Sequence, residues 1–312
     1  MSVIFDSLVP VALLIALGYA LHRTLLRDPS HWFGMEQLTY FVLFPALLLI
    51  SGIRADLSKV SFAGVVGAYA ITLTLFFFSL LAIRPLLAQR LAISGPAFTS
   101  LCQGVLRWNS YIALAVGDGL FGAEGVAVMA VALVCLIPMV NVMVVWVLAR
   151  YASAKPPGMG EVLRQLARNP LIWSCGLGMG INAAGIHLPA VVLEFTDMLG
   201  RASLAVGLLV VGAGLTLRNL ARPQLMTWLA VVLNLLMKPA CTLAIGYALG
   251  LRGLELTAIA LLAAVPSSPS GYVLARQMGG DAPLLAEILT IQILVSAVTL
   301  PLVAMVATAV GS

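Results

Sequence analysis

Charge is what this sequence has least of. Asp, Glu, Lys and Arg make up 9% of its 312 residues, against roughly 25% in an ordinary soluble domain. Hydrophobic residues make up 62%, and the mean hydropathy is +1.08. The core of a soluble domain of this length cannot hide so large an apolar excess, which must therefore face lipid. Cysteine is also scarce. Cys102, Cys135, Cys175 and Cys241 all fall inside apolar stretches, where they serve as small packing residues and imply neither disulfide nor metal. The three histidines (His22, His31, His187) sit at the ends of such stretches. Zinc protease signatures and paired intramembrane aspartates are missing, so no catalytic constellation points to an enzyme. No loop is long enough for a soluble output domain, which counts against a sensory protein. No basic region or cleavage site precedes the first apolar stretch, which reads as a retained span rather than a signal peptide.

What remains is a set of long apolar runs. A bilayer core needs roughly 17–25 apolar residues per helix, and ten spans of about that size can be drawn: Leu8–Leu21, Gln37–Ile53, Val60–Ile83, Leu91–Gly117, Gly125–Ala149, Pro170–Ile186, Ala202–Leu217, Pro223–Leu251, Leu256–Ala275 and Ile288–Val310. A barrel would show short alternating segments instead. The expected class is an all-α integral membrane protein. Its net charge of +5 then belongs to loops facing the cytoplasm rather than to a nucleic-acid partner.

With the N-terminus outside, inward loops hold Arg23, Arg27, Arg84, Arg90, Arg150, Lys155, Arg164, Arg168, Arg218, Arg222 and Arg276, while outward segments hold Arg54, Lys59, Arg201 and Arg252. That asymmetry follows the positive-inside rule for a chain with both termini outside. Residues 151–169, with their Lys155-Pro156-Pro157-Gly158, become a cytoplasmic linker between a first half (1–150) and a second (170–312). Short loops and a compact linker suggest a bacterial inner membrane.

The halves share landmarks. Pro10 and Gly18 meet Pro170 and Gly178 at an offset of about 160, and Tyr111 meets Tyr272 at about 161. Ala123-Glu124 and Pro138 meet Ala286-Glu287 and Pro301 at about 163. Five spans per half is an odd number, so the second half enters the membrane from the opposite side. An inverted 5+5 repeat of this kind is the architecture many secondary transporters use for alternating access.

In such carriers the site lies at paired interrupted spans, here the fourth and the ninth. The ninth carries Pro266-Ser267-Ser268-Pro269-Ser270-Gly271. Pro266, Pro269 and Gly271 are the expected helix-break residues, since each proline removes a donor and clashes with the preceding turn. The fourth carries Gln103-Gly104-Val105-Leu106-Arg107-Trp108-Asn109-Ser110-Tyr111. An arginine at the middle of a span marks a functional site by default, and its planar fork suits a carboxylate. Arg107, Asn109, Ser110, Tyr111, Ser267, Ser268 and Ser270 are the expected substrate-binding residues. Lys238, beside Pro239 in the eighth span, and Gln103 are candidates for coupling. No metal site or cofactor is expected, and a coupling H+ or Na+ remains open. Glu124 and Glu287 suit helix N-termini as well as they suit ions. Pro45, Gly207, Gly212 and Gly214 would permit close packing of the second and seventh spans.

These residues, in order, resemble the auxin efflux carrier family, in particular its bacterial members that carry malonate-like anions. Leu8-Val9-Pro10 with Gly18-Tyr19, Tyr40 to Pro45-Ala46-Leu47-Leu48, Asn109-Ser110-Tyr111, Phe121-Gly122, Asn169-Pro170-Leu171, Gly212-Ala213-Gly214-Leu215, and Pro266 with Leu274-Ala275 carry the likeness. The resemblance implies a fold similar to that of the bile acid–sodium symporters, with discontinuous fourth and ninth helices crossing at the membrane centre. Many members have a proline after the Asn of the fourth span, and this chain has none. The expected function is a carrier moving a small organic anion, with a channel, or a carrier of neutral or cationic solutes, as the alternative. Expected partners are the anion and the bilayer; a homodimer stays open.

Overall fold

The computed structural model describes residues 2–54, 61–152, 160, 164, 170–215 and 223–311. Among the described residues there is no strand, and helices are what lipid demands of a spanning backbone other than a closed barrel. The helices are α1 (Ser2–Thr24), α2 (Pro29–Leu38), α3 (Phe44–Arg54), α4 (Phe62–Leu91), α5 (Gly95–Leu106), α6 (Ser110–Tyr151), α7 (Pro170–Ala183), α8 (Ala190–Ala213), α9 (Leu225–Val232), α10 (Lys238–Ala248), α11 (Gly253–Ala264), α12 (Ser270–Met278) and α13 (Ala282–Gly311). Two π-helical turns, Thr39–Leu43 and Leu233–Met237, join α2 to α3 and α9 to α10.

Among the described residues six helical runs are long and apolar enough to cross a membrane: Pro29–Arg54, Ala63–Leu91, Gly95–Tyr151, Ala190–Ala213, Leu225–Ala248 and Ala282–Gly311. Leu8–Thr24 and Gly253–Ala264 are shorter apolar helices. The protein is an integral membrane protein. The long run Gly95–Tyr151 is interrupted between Leu106 and Ser110 and bends at Gly122, whose φ of 58° and ψ of −147° are non-helical. Most of the 151–169 linker lies outside the described residues, as do Lys59, Lys155, Arg168, Arg218 and Arg222.

Local signals account for the helix ends. Asp28 caps α2 by accepting the Ser30 N–H at 2.8 Å, just ahead of the pre-formed turn at Pro29. That bond holds the Asp28 carboxyl below the usual carboxylate range. α4 continues past the expected Ile83 to Leu91 and stops where Ala92 turns left-handed. The next helix therefore begins at Gly95 rather than Leu91, capped by Ser94.

Two helical groups pack side by side. In the first, α1 lies along α8 and α3 along α7, with α3 also touching α8. Glycine makes these contacts backbone to backbone. A Cβ on Gly18 would sit 2.1 Å from the Leu209 carbonyl oxygen, and one on Gly178 would sit 2.5 Å from that of Leu49. Gly212 comes as close to Ile15, and Gly52 faces Met179. The second group holds α4, α5, α6, α9, α10, α11 and α13 around a core of fully buried side chains such as Phe98, Leu101, Leu261, Leu262 and Leu285. At one end of this group the Glu255 carboxylate accepts the Ser61 N–H, and Gly311 abuts Gly253. At the other end Ser100 donates to the Asp281 carbonyl at 2.7 Å, and Gly95 abuts the Tyr151 carbonyl.

Candidate substrate site at the helix breaks

Two interruptions meet inside the second group. α5 ends at Leu106, and Arg107 is extended (φ −81°, ψ 162°). The sequence reading expected an interruption in the fourth span without fixing its position, and the structure puts Arg107 in the break. The cause lies two residues on. The Asn109 side chain accepts the N–H groups of Tyr111 and Ile112 at 3.0 and 3.2 Å, a strong N-cap that starts a fresh helix at Ser110. This start needs no proline, which explains how the fourth span breaks without one.

The second interruption runs from Val265 to Pro269. Val265 is extended (ψ 150°), as the residue before a proline tends to be. Pro266 lies in the break and Pro269 is the N-cap of α12, but Gly271 falls in the first turn of α12 rather than in the break. The two breaks are tied to each other. The Asn109 N–H donates to the Pro266 carbonyl at 2.7 Å, and the Ser267 hydroxyl donates to the Gln103 carbonyl at 2.8 Å.

Broken helices leave carbonyls without intrahelical donors, and neighbouring spans supply them. Gln292 of α13 donates to the carbonyls of Gly104 (2.9 Å) and Ala230 (3.2 Å) and accepts the Ser267 N–H at 2.9 Å. Lys238 donates to the Val105 carbonyl at 2.9 Å and to the Asn234 side-chain oxygen. Asn234 in turn donates to the Val265 carbonyl at 3.1 Å. Gln292, Asn234 and Lys238 are all fully buried.

On the other side of the crossing lies a more open group. Arg107 is half-buried. It donates to the exposed Ser270 hydroxyl at 3.1 Å and to the Asn141 side-chain oxygen at 3.2 Å. The hydroxyls of Ser268 and Ser270 lie 2.9 Å apart at the start of α12. Next to Arg107, buried polar atoms lack protein partners among the described residues: both amide atoms of Gln103, the Asn109 side-chain N–H group and Arg107 Nε. Gly271 makes their room, since a Cβ there would fall 3.2 Å from Gln103 Oε1 and 3.3 Å from Arg107 Cδ. Buried polar groups are almost always paired, so several unpaired ones beside an arginine single this group out as the candidate site.

The structure therefore gathers Gln103, Arg107, Asn109, Ser267, Ser268 and Ser270 at the crossing. Tyr111 points elsewhere. It stacks on Phe44, with ring centroids 4.5 Å apart, and rests against Gly207, at the joint between the two helical groups. Lys238 lies on the closed side with Asn234 and Gln292. Glu287 caps α9 rather than its own helix, accepting the Gln224 N–H at 2.8 Å and the Thr227 hydroxyl at 2.6 Å. Sequence reasoning overlooked Asn234 and Gln292, although each is a lone amide in an apolar run, Leu233-Asn234-Leu235 and Ile291-Gln292-Ile293. It also placed Glu36 outside the second span. Glu36 lies within the continuous run Pro29–Arg54, half-buried.

A discontinuous polar centre inside an apolar helical protein is a transporter's feature, and comparison with known proteins decides the point. Residues 3–304 match the model of a family described as membrane transport protein. This chain belongs to that family, the auxin efflux carrier family. An uncharacterized transporter of Methanothermobacter thermautotrophicus is 28% identical to it over 303 residues, covering 95% of this chain and 96% of that one. As a member of the family the protein is a membrane transporter, and the breaks at Arg107–Asn109 and Val265–Pro269 are its candidate site.

Proposed function

We propose that the protein is a secondary carrier for a small organic anion, most simply a carboxylate, bound where the two helix breaks meet. One observation carries the reading: the Arg107 guanidinium faces the serine-lined start of α12 beside the buried Gln103 amide and Asn109 side-chain N–H group, which have no partner among the described residues. A guanidinium offers a carboxylate two parallel charge-assisted hydrogen bonds, and the partial positive charge of a helix N-terminus favours an anion as well.

The ten-span inverted repeat belongs to the same proposal. Gly18 and Gly178 match at the offset of the repeat, and so do the Leu209 and Leu49 backbones they touch, so matched glycines perform matched tasks. This pattern supports two halves of opposite orientation, while the excess of Lys and Arg on one set of loops supports both termini outside and the linker in the cytoplasm, and the short loops suit a bacterial inner membrane. Alternating access follows if the glycine-joined group and the group holding the breaks move against each other along the joint where Tyr111 meets Phe44.

The test is counterflow uptake of labelled mono- and dicarboxylates into proteoliposomes. Saturable uptake that is lost in Arg107→Gln is the expected result. Uptake that survives the substitution removes Arg107 from the site. Uptake of neutral or cationic solutes alone overturns the anion reading, and flux that fails to saturate indicates a channel.

A further inference from the structure

The closed side of the crossing holds a charge that substrate recognition leaves unused. Lys238 is fully buried, and among the described residues no acidic side chain forms an ion pair with it. Its ammonium is satisfied by oxygen dipoles instead: the Val105 carbonyl, near the C-terminal end of α5, and the Asn234 side-chain oxygen. Through the Asn234 amide this cluster also reaches the Val265 carbonyl, just beyond α11. Lys238 thus stands where the C-terminal ends of both interrupted helices converge, each carrying partial negative charge. Clusters of half-helix C-terminal ends and unwound carbonyls are what discontinuous transporters use to coordinate a coupling Na+.

We propose that Lys238 is a resident cation occupying the position that a coupling sodium would take, so that the crossing is held together, and transport runs, without sodium. The ammonium and Na+ place the same demand on their surroundings: one positive charge and several oxygen acceptors. The ammonium arrives on its own tether from α10 and cannot leave with the substrate. Lys238 is in this sense a positioning residue, acting on the substrate site through the ends of α5 and α11. The proposal rests on the carrier reading for its transport arm but not for its stability arm, and the two fail separately.

The experiment is thermal melting of the purified full-length protein in detergent, in equimolar NaCl or N-methyl-D-glucamine chloride, followed by uptake in the same salts. For the wild type, equal Tm and equal uptake in both salts are expected. Lys238→Ala removes the ammonium and leaves room among the oxygens. Its Tm should fall, and NaCl or methylammonium chloride should raise it again by several degrees, as a ligand binding only the folded state does. Lys238→Met fills the space without charge, so its Tm should fall with no recovery in either salt. A sodium-dependent Tm or sodium-dependent uptake in the wild type overturns the proposal. So does a Lys238→Met protein as stable as the wild type, which would make the side chain packing alone. If Lys238→Ala fails to fold, the wild-type and Lys238→Met arms decide. Absence of carboxylate uptake in every protein sinks the carrier reading and leaves the melting results to judge Lys238.

Discussion

The glycine-joined group and the helix-break group are built by opposite rules. In the first, contacts repeat: Gly18 on Leu209 and Gly178 on Leu49 are one contact made twice. In the second, the backbone breaks twice but the chemistry occurs once. Arg107 answers to no arginine near Ser268, and Lys238 and Gln292 each have an apolar residue at the matching place in the other half. On the proposed inverted repeat, a duplicated frame is kept where only close backbone approach matters, since any change is penalised in both copies. Where a ligand must be recognised, two identical half-sites of opposite orientation would repeat one charge, and divergence gives one side a guanidinium and the other hydroxyls.

Substitutions that respect or violate this contrast sharpen it. The largest effect is expected at Gly212→Val. Its Cβ would lie 1.9 Å from the Ile15 carbonyl oxygen, and overpacking against backbone costs about 3 kcal/mol or more, enough to abolish the monodisperse peak in detergent size-exclusion chromatography. The milder pair Gly18→Ala and Gly178→Ala should destabilise by amounts within about 1 kcal/mol of each other, since unconnected sites add and matched sites share a mechanism. Unequal Tm losses would break the matched-contact account. Gln292→Leu comes next. It strips the Gly104 carbonyl of its Gln292 donor and the Ser267 N–H of an acceptor, each worth about 1–3 kcal/mol when buried and unpaired, so its Tm should drop by several degrees, and Gln292→Glu, which sets a buried carboxylate against two carbonyls, should not recover it. Arg107→Gln should leave Tm nearly intact while weakening the anion's apparent affinity roughly 10- to 100-fold, the value of charge-assisted bonds of about 1.5–3 kcal/mol, so that uptake at substrate concentrations near the wild-type KM is lost. The smallest effect is expected at Ser268→Ala, a neutral hydrogen bond of about 0.5–1.5 kcal/mol, seen as a change in KM of severalfold at most with Tm unchanged.

Much of the frame was legible in advance, and the reason is physical. Lipid imposes long apolar runs, prolines advertise the second break, and a lone arginine in such a run is too costly to be incidental, so Pro266, Pro269 and Arg107 stood out. Asn109 was noticed as a ligand group, yet half of its side chain is spent capping α6. Propensity alone does not say whether a polar residue near a break serves the backbone or the substrate. Tyr111 was assigned to the site by its neighbours in sequence, whereas its place in the first turn of α6 aims it at Phe44. Asn234 and Gln292 went unremarked because most of their partners are backbone groups of other helices and breaks, and a backbone group has no letter in a sequence. The symmetric glycines were half visible: Gly18 and Gly178 aligned, but which helix each would touch depends on packing that the repeat offset does not state.

The π-helical turn Leu233–Met237 immediately precedes Lys238. Such a turn holds one residue more than the α-helical ladder it interrupts. Every residue beyond it is therefore phased by that surplus, at about 100° of rotation per residue. Removing a single leucine from Leu233–Met237 would shorten the segment by a length that most helices tolerate, yet it would swing the ammonium a quarter-turn or more away from Val105 and send it toward hydrocarbon. In this stretch chain length is as strictly determined as residue identity: among relatives, a one-residue deletion here should travel with the loss of Lys238, and a lysine kept without the surplus residue should be found facing somewhere else.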